Sequence, residues 1–233
     1  MNKKTFYTEI AYLIGLVSIA LGVALSERAD LGMSMIVAPA YVLFRWINPV
    51  APFFTFGMAE YCLQALLIVL MSTVMSKFRI SYLFSFVTAV IYGFVLDGLV
   101  LLCKILPVFF LWQQIIWYVL GLIVTASGVA LMFHTYIPPE AYDMIVKEIA
   151  NHFHLNINKF KTIYDFSSLA VSVCMSFLIF GFGKFVGVGW GTLFCAAVNG
   201  WIIGRFSAFD EKHWVFKDRF RFRPYFTDQK LEQ

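Results

Sequence analysis

The stretch YLIGLVSIALGVAL, residues 12–25, returns in the middle of the chain as YVLGLIVTASGVAL, residues 118–131. Eight of the fourteen aligned positions are identical: Tyr12 with Tyr118, Gly15 with Gly121, Leu16 with Leu122, Ala20 with Ala126, and the run Gly22 to Leu25 with Gly128 to Leu131. Apolar helices resemble one another by composition, but two glycines in register and an unbroken GVAL favour duplication over chance. The order of features downstream repeats as well. Each copy is followed by a breaker, a short amphipathic segment, and a helix with an early acid (Glu60, Asp165). A Lys-Phe turn comes next (Lys77-Phe78, Lys184-Phe185), then a helix with a polar residue before glycine (Asp97-Gly98, Asn199-Gly200).

Composition sets the solvent. The 233 residues are 61% hydrophobic and 14% charged, with mean hydropathy +0.78; a soluble domain runs near 45–50% apolar and about 25% charged. The chain reads as an all-α polytopic membrane protein, because a charge at bilayer depth is costly and about 20 apolar residues cross freely. Six spans are expected, over 9–25, 53–76, 80–106, 111–134, 162–183 and 191–208. They leave no room for a separate soluble domain. Fourteen of the 18 Lys and Arg residues fall on one side of this arrangement, which by the positive-inside rule makes both termini cytoplasmic.

Three spans per copy is an odd number, so the second copy enters the membrane from the opposite face. The expected architecture is two inverted three-helix repeats, 1–108 and 109–208, and a basic, aromatic tail over 209–233. Inverted repeats are characteristic of secondary transporters, which bind their solute near the midplane where the halves meet.

Each half also carries a short helix. In LGMSMIVAPAYVLFRWI, Ile36, Val37, Ala40, Tyr41 and Phe44 share a face; in YIPPEAYDMIVKEIANHF, Tyr142, Ile145, Val146, Ile149 and Phe153 do. Such helices either lie flat in the interface or dip in as re-entrant half-helices. In the second case the stretches Met33 to Met35 and Pro139 to Tyr142 turn helix N-termini toward a cavity, where an anionic group is the natural occupant.

Ionisable residues at depth are functional suspects. The expected substrate-binding set is Ser34, Glu60, Asp97, Glu140, Asp143, Asp165 and Asn199, with Tyr41, Tyr92 and Trp201 as aromatic lining. Asp97 has the strongest claim as a proton or cation carrier, because an uncharged run precedes it and no fixed cation adjoins it in sequence.

Other chemistries find little support. Cys62, Cys103, Cys174 and Cys195 stand singly without a C-x-x-C pair, against a disulfide framework or zinc site. His152 and His154 are two apart, on nearly opposite helix faces. With no H-E-x-x-H and no G-x-S-x-G, the chain is not expected to be an enzyme or to need a metal or cofactor. The alternating tail, with Phe216, Lys217, Arg219, Phe220, Arg221, Phe222 and Arg223, reads as an anchor to anionic lipid heads rather than a nucleic-acid surface.

The segments GVALSERADLGMSMIVAPAYVL and GVALMFHTYIPPEAYDMIV resemble the YczE/YitT-type group of bacterial membrane proteins, whose duplicated core places a small-residue motif after the first helix of each half. Pro138, Pro139 and Asp143 match the second motif, whereas the first has Ser34 and Pro39 and lacks the aspartate. The resemblance implies a bacterial inner membrane and adds little on substrate. The expectation is a transporter or permease component for a small polar, even anionic, solute, coupled to protons or another cation. Two other classes stay open: an accessory or sensing subunit that recruits a partner protein, and an enzyme on a lipid or quinone. Beyond lipids and the solute, a homodimer or a partner subunit stays open too.

Overall fold

The computed structural model describes residues 4–220 apart from Lys77 and Asn156. The described chain runs β1 (Lys4–Tyr7), α1 (Thr8–Ala29), α2 (Ala38–Ile47), α3 (Phe56–Met75), α4 (Ile80–Cys103), α5 (Leu111–Phe133), α6 (Ala141–His152), α7 (Ile157–Phe180), α8 (Trp190–His213) and β2 (Trp214–Lys217). Six helices, all but α2 and α6, are long and apolar enough to cross a membrane. The protein is an all-α polytopic membrane protein.

Helix ends differ from the hydropathy reading where a helix continues past its apolar part. α1 runs on through Glu27 and Arg28 until Asp30 turns left-handed at φ 52°. α7 takes in Lys159 and Lys161 near its start, and α8 continues to His213, so the expected boundary at 208 falls inside a helix. Between Gly204 and His213 no proline or glycine stops it.

The bundle is built on α1 and α5, which run antiparallel with their backbones in contact. Gly15 faces Gly128 and Gly22 faces Gly121; a Cβ on Gly22 would lie 2.5 Å from the Gly121 carbonyl oxygen, and one on Gly128 would lie 2.6 Å from that of Gly15. Any side chain there would push the helices apart. In a membrane such close approach supplies the packing attraction that the hydrophobic effect supplies in water.

Contacts around this pair come in matched sets. α1 packs on α4 and α5 on α8; α2 packs on α7 and α6 on α3; α2 also meets α3 as α6 meets α7. One match is missing. α3 lies against α4, whereas α7 and α8 are not a packed pair among the described residues. At the α3–α4 crossing a Cβ on Gly93 would lie 2.8 Å from the Gly57 carbonyl oxygen. Gly57 stands three residues before Glu60 and Gly93 four before Asp97; the positions so placed before Asp165 and Asn199 hold Thr162 and Cys195. Bulkier residues thus occupy the spot where the glycines allow contact.

α6 packs lengthwise against α3. The Ala141 N–H at its start donates to Gln64 Oε1 at 3.0 Å. Met144 and Ile145 pack with Ile68, Met71 and Met75, and Glu148 pairs with Arg79 at 3.0 Å. The helix therefore runs beside α3 from its middle to its end. Its twelve residues span about 18 Å at 1.5 Å each, half of a crossing. α2, ten residues long, seats Tyr41 and Phe44 on Phe56 with ring centroids 5.3 and 5.7 Å away. The loop before it is tied to the loop before α8 and to the first turn of α8: Met33 N–H donates to the Gly187 carbonyl and Gly191 N–H to the Leu31 carbonyl, both at 2.9 Å.

Both ends of the described chain meet on one side of the bundle. β1 and β2 pair in parallel, with Lys4 opposite Trp214 and Tyr7 opposite Lys217. The Glu9 carboxylate accepts the backbone N–H groups of Arg219 and Phe220 at 3.0 and 2.9 Å. After the end of α8 the tail continues as a strand held to the bundle, and the Phe216 ring stacks on His134 at 4.6 Å. Arg221, Phe222 and Arg223 lie outside the described residues.

Candidate functional site

Where α7 and α8 stand apart, a cavity of about 390 Å³ opens between them and α5. The N-terminal ends of both short helices reach it, through Ser34 to Val37 on one side and Pro139 to Asp143 on the other. Its wall has two characters. Ile19, Val23, Leu122, Val129 and Met132 make it apolar along α1 and α5, and Glu140, Asp143, Lys161, Asp165 and Asn199 make it polar toward α6, α7 and α8. A second cavity of about 180 Å³ shares Ser26 and Met33 with the first and leads past Glu27 and Asp30.

The polar groups are held by a framework at the start of α6. Ser85 donates to the Pro139 carbonyl at 2.6 Å, and Thr88 to that of Pro138 at 3.3 Å. Gln64 bridges the half-helix: its oxygen takes the Ala141 N–H while its Nε2 donates to Glu140 Oε2 at 3.2 Å. Tyr142 donates to Glu60 Oε2 at 2.9 Å. Lys161 donates to Asp143 Oδ1 at 2.6 Å. Among the described residues four buried side-chain oxygens are left without a hydrogen-bond partner: Glu60 Oε1, Glu140 Oε1, Asp165 Oδ1 and Asn199 Oδ1. Orphaned buried acceptors cost about 1–3 kcal/mol each, so such a group at a cavity wall marks a place for a ligand or solvent.

Glu140 lies outside the six spans, at the start of α6. Burial pushes its carboxyl well above the ordinary carboxylate range, with Glu60 and Asp143 adding like-charge repulsion. The Tyr142 hydroxyl is raised by the same burial and by Glu60.

Of the expected site residues, Ser34, Tyr92, Glu140, Asp143, Asp165 and Asn199 line this cavity. Glu60 stands behind it, fully buried, and reaches it through the Tyr142 hydroxyl. Three are placed elsewhere. Asp97 accepts the Gly57 N–H at 2.7 Å and the Thr55 hydroxyl at 2.6 Å, so the N-terminus of α3 supplies the positive partner that the sequence did not reveal. Tyr41 lines the second, adjoining cavity and packs beside Phe56, because the apolar face of α2 turns toward α3. Trp201 is 65% exposed on the outer side of α8, with the Arg205 guanidinium over its ring.

Sequence reasoning missed Lys161, Gln64 and Tyr142. Lys161 served only as a marker of sidedness, although it stands four residues before Asp165 and so on the same helix face. Gln64 follows Glu60 by four and carried the same signal. The anion expectation meets an obstacle: the Met33 and Ala141 N–H groups and the Lys161 ammonium are already engaged within the protein. Among the described residues no group of three or more His, Cys, Asp or Glu is arranged to hold a metal ion.

The chain belongs to a family of unknown function, DUF6198, whose model matches residues 6–208. No curated protein and no solved structure matches it.

Proposed function

We propose that this protein is a membrane transporter that takes a small polar solute into the cavity between the N-termini of α2 and α6. The observation that carries this reading is the unequal state of two otherwise matched helix pairs: α3 and α4 are sealed at Gly57 and Gly93, while α7 and α8 stand apart around the cavity. If the halves are inverted repeats, a closed pair and an open pair are one interface in two states. Exchange of those states would close the cavity on one face and open it on the other, which is alternating access.

Three further observations support it. The antiparallel α1–α5 contact pairs Gly15 with Gly128 and Gly22 with Gly121, as a two-fold axis in the membrane plane demands of a duplicated helix. α6 inserts as a half-helix, the element with which many transporters present backbone charge to a solute at mid-depth. The orphaned acceptors at the cavity wall are groups that a bound solute would satisfy. The coupling role first given to Asp97 passes in this reading to Glu140, whose unpartnered oxygen is at the cavity. The charge bias of the loops supports cytoplasmic termini, and the motifs around Ser34 and Pro139 support kinship with the YczE/YitT-type proteins and a bacterial inner membrane. No catalytic role is assigned to any residue.

Uptake into proteoliposomes of a labelled panel of small amines, amino acids and carboxylates tests the proposal. At least one solute should enter faster than into empty vesicles, with the excess lost in Asp165→Asn. If none does while the purified protein still binds a solute, the accessory or sensing reading replaces this one.

A further inference from the structure

The cavity wall holds a donor–acceptor imbalance that restricts what can fill it. Glu140 Oε1, Asp165 Oδ1 and Asn199 Oδ1 are all buried and all unpartnered, and a carboxylate oxygen accepts hydrogen bonds once its group is ionised. The acids that line the cavity are Glu140, Asp143 and Asp165, against Lys161 alone, and Lys161 already donates to Asp143. A carboxylate or phosphate ligand would bring further negative charge to a wall whose one lysine is already paired. An ammonium brings three N–H donors and one positive charge.

The opposite wall restricts the rest of the ligand. Ile19, Val23, Leu122, Val129 and Met132 offer no partner for a second charge, while Tyr92, Tyr118 and Tyr142 add ring surface at the cavity. From this two-sided wall, and resting on the transport reading above, we infer that the site takes a monocationic amine with an apolar body, its ammonium on the acidic side of the cavity. The volume of about 390 Å³ is in the range of small-molecule pockets.

The same geometry sets a proton balance. The groups that face Glu140 are Glu60 and Gln64 from α3, Tyr12 from α1, Tyr92 from α4, and Asp143 and Tyr142 from α6, while Lys161 and Asp165 from α7 line the same cavity. With the cavity empty, burial and the like charges of Glu60 and Asp143 favour the protonated form of Glu140. When an ammonium arrives, the Glu140 O–H bond breaks, its proton passes to water, and the carboxylate pairs with the ligand. One positive charge enters as one leaves. The exchange makes binding stronger as pH rises through the Glu140 titration.

Three probes with one body and different heads decide the matter: phenethylamine, 2-phenylethanol and 3-phenylpropanoate, titrated by calorimetry into the full-length protein in detergent. Only phenethylamine should bind, with release of a proton that is absent in Glu140→Gln. Asp165→Asn should weaken it on the order of thirtyfold, as truncating one member of a buried charged pair does. Asn199→Asp should tighten it, a gain that misfolding cannot mimic. Binding of 3-phenylpropanoate, or equal binding of the amine and the alcohol, would overturn the inference and leave the transport reading standing. Amine binding without uptake would overturn the transport reading and leave the inference. No heat with any probe overturns the inference.

Discussion

Asp97 takes the backbone N–H of Gly57 at 2.7 Å, and Asn199, the residue that precedes glycine at the matching place in the second half, has a buried Oδ1 with no partner. The same step in the pattern is made in one half and unmade in the other. Where it is made, α3 and α4 touch through glycine backbones; where it is unmade, α7 and α8 part and a cavity fills the space between them.

The cap at Asp97 separates a structural role from a coupling role. Asp97→Ala removes the acceptor of the Gly57 N–H and should cost about 1–3 kcal/mol of stability, seen as a lower Tm in detergent. Asp97→Asn keeps one acceptor and should leave the pH profile of solute uptake unchanged. A shifted profile would return the carboxylate to the transport cycle.

The glycine contact in the α1–α5 pair should behave as one unit. Gly22→Ala and Gly121→Ala each place a methyl group against the other backbone, an overpacking cost of about 1–3 kcal/mol. Once either helix has moved away, the second methyl meets less resistance, so the double variant should lose less than the sum. Additive losses would mean that the two positions do not meet.

Much of this arrangement was legible in sequence. The GVAL repeat with its glycines marks the two helices that form the central pair, and hydropathy gives all six spans, because both signals come from residues close in the chain. The side on which a polar residue acts is another matter. Asp97 and Asn199 look alike in sequence, and their difference arises from whether the neighbouring helix, some 40 residues away in the chain for Asp97, comes close enough to share its N-terminus. Trp201 was misplaced for the same reason. A helical face is read from spacing, but which face meets which neighbour is set by tertiary contact.

The pH dependence of stability follows from Glu140. Its carboxyl is held well above the ordinary carboxylate range by burial, so the stabilising contribution is complete below the ordinary pKa of about 4.3. It is lost as pH rises through the raised value. The Tm of the empty protein should therefore fall with rising pH across that window. Glu140→Gln, which cannot ionise, should flatten this part of the curve. A wild-type Tm that rises through the same window would contradict the buried, protonated acid.

Closure of the open pair can be trapped. In a protein with Cys62, Cys103 and Cys174 replaced by serine, Thr162→Cys places a thiol on α7 facing the native Cys195 on α8, the counterparts of Gly57 and Gly93. If α7 and α8 close as α3 and α4 do, oxidation should join the two and stop uptake, with reduction restoring it. Failure to crosslink under turnover would mean that the gap is permanent.

Cys195 also gives the most direct test of the transport cavity. With the other three cysteines replaced by serine, it becomes the sole thiol, in the cavity wall, and a charged, impermeant thiosulfonate can be applied to right-side-out and inside-out vesicles separately. A cavity that opens alternately to each face predicts modification from both sides, slowed from both by the bound solute. Modification from one side only, under every gradient and solute condition, would contradict it and leave a one-sided binding pocket.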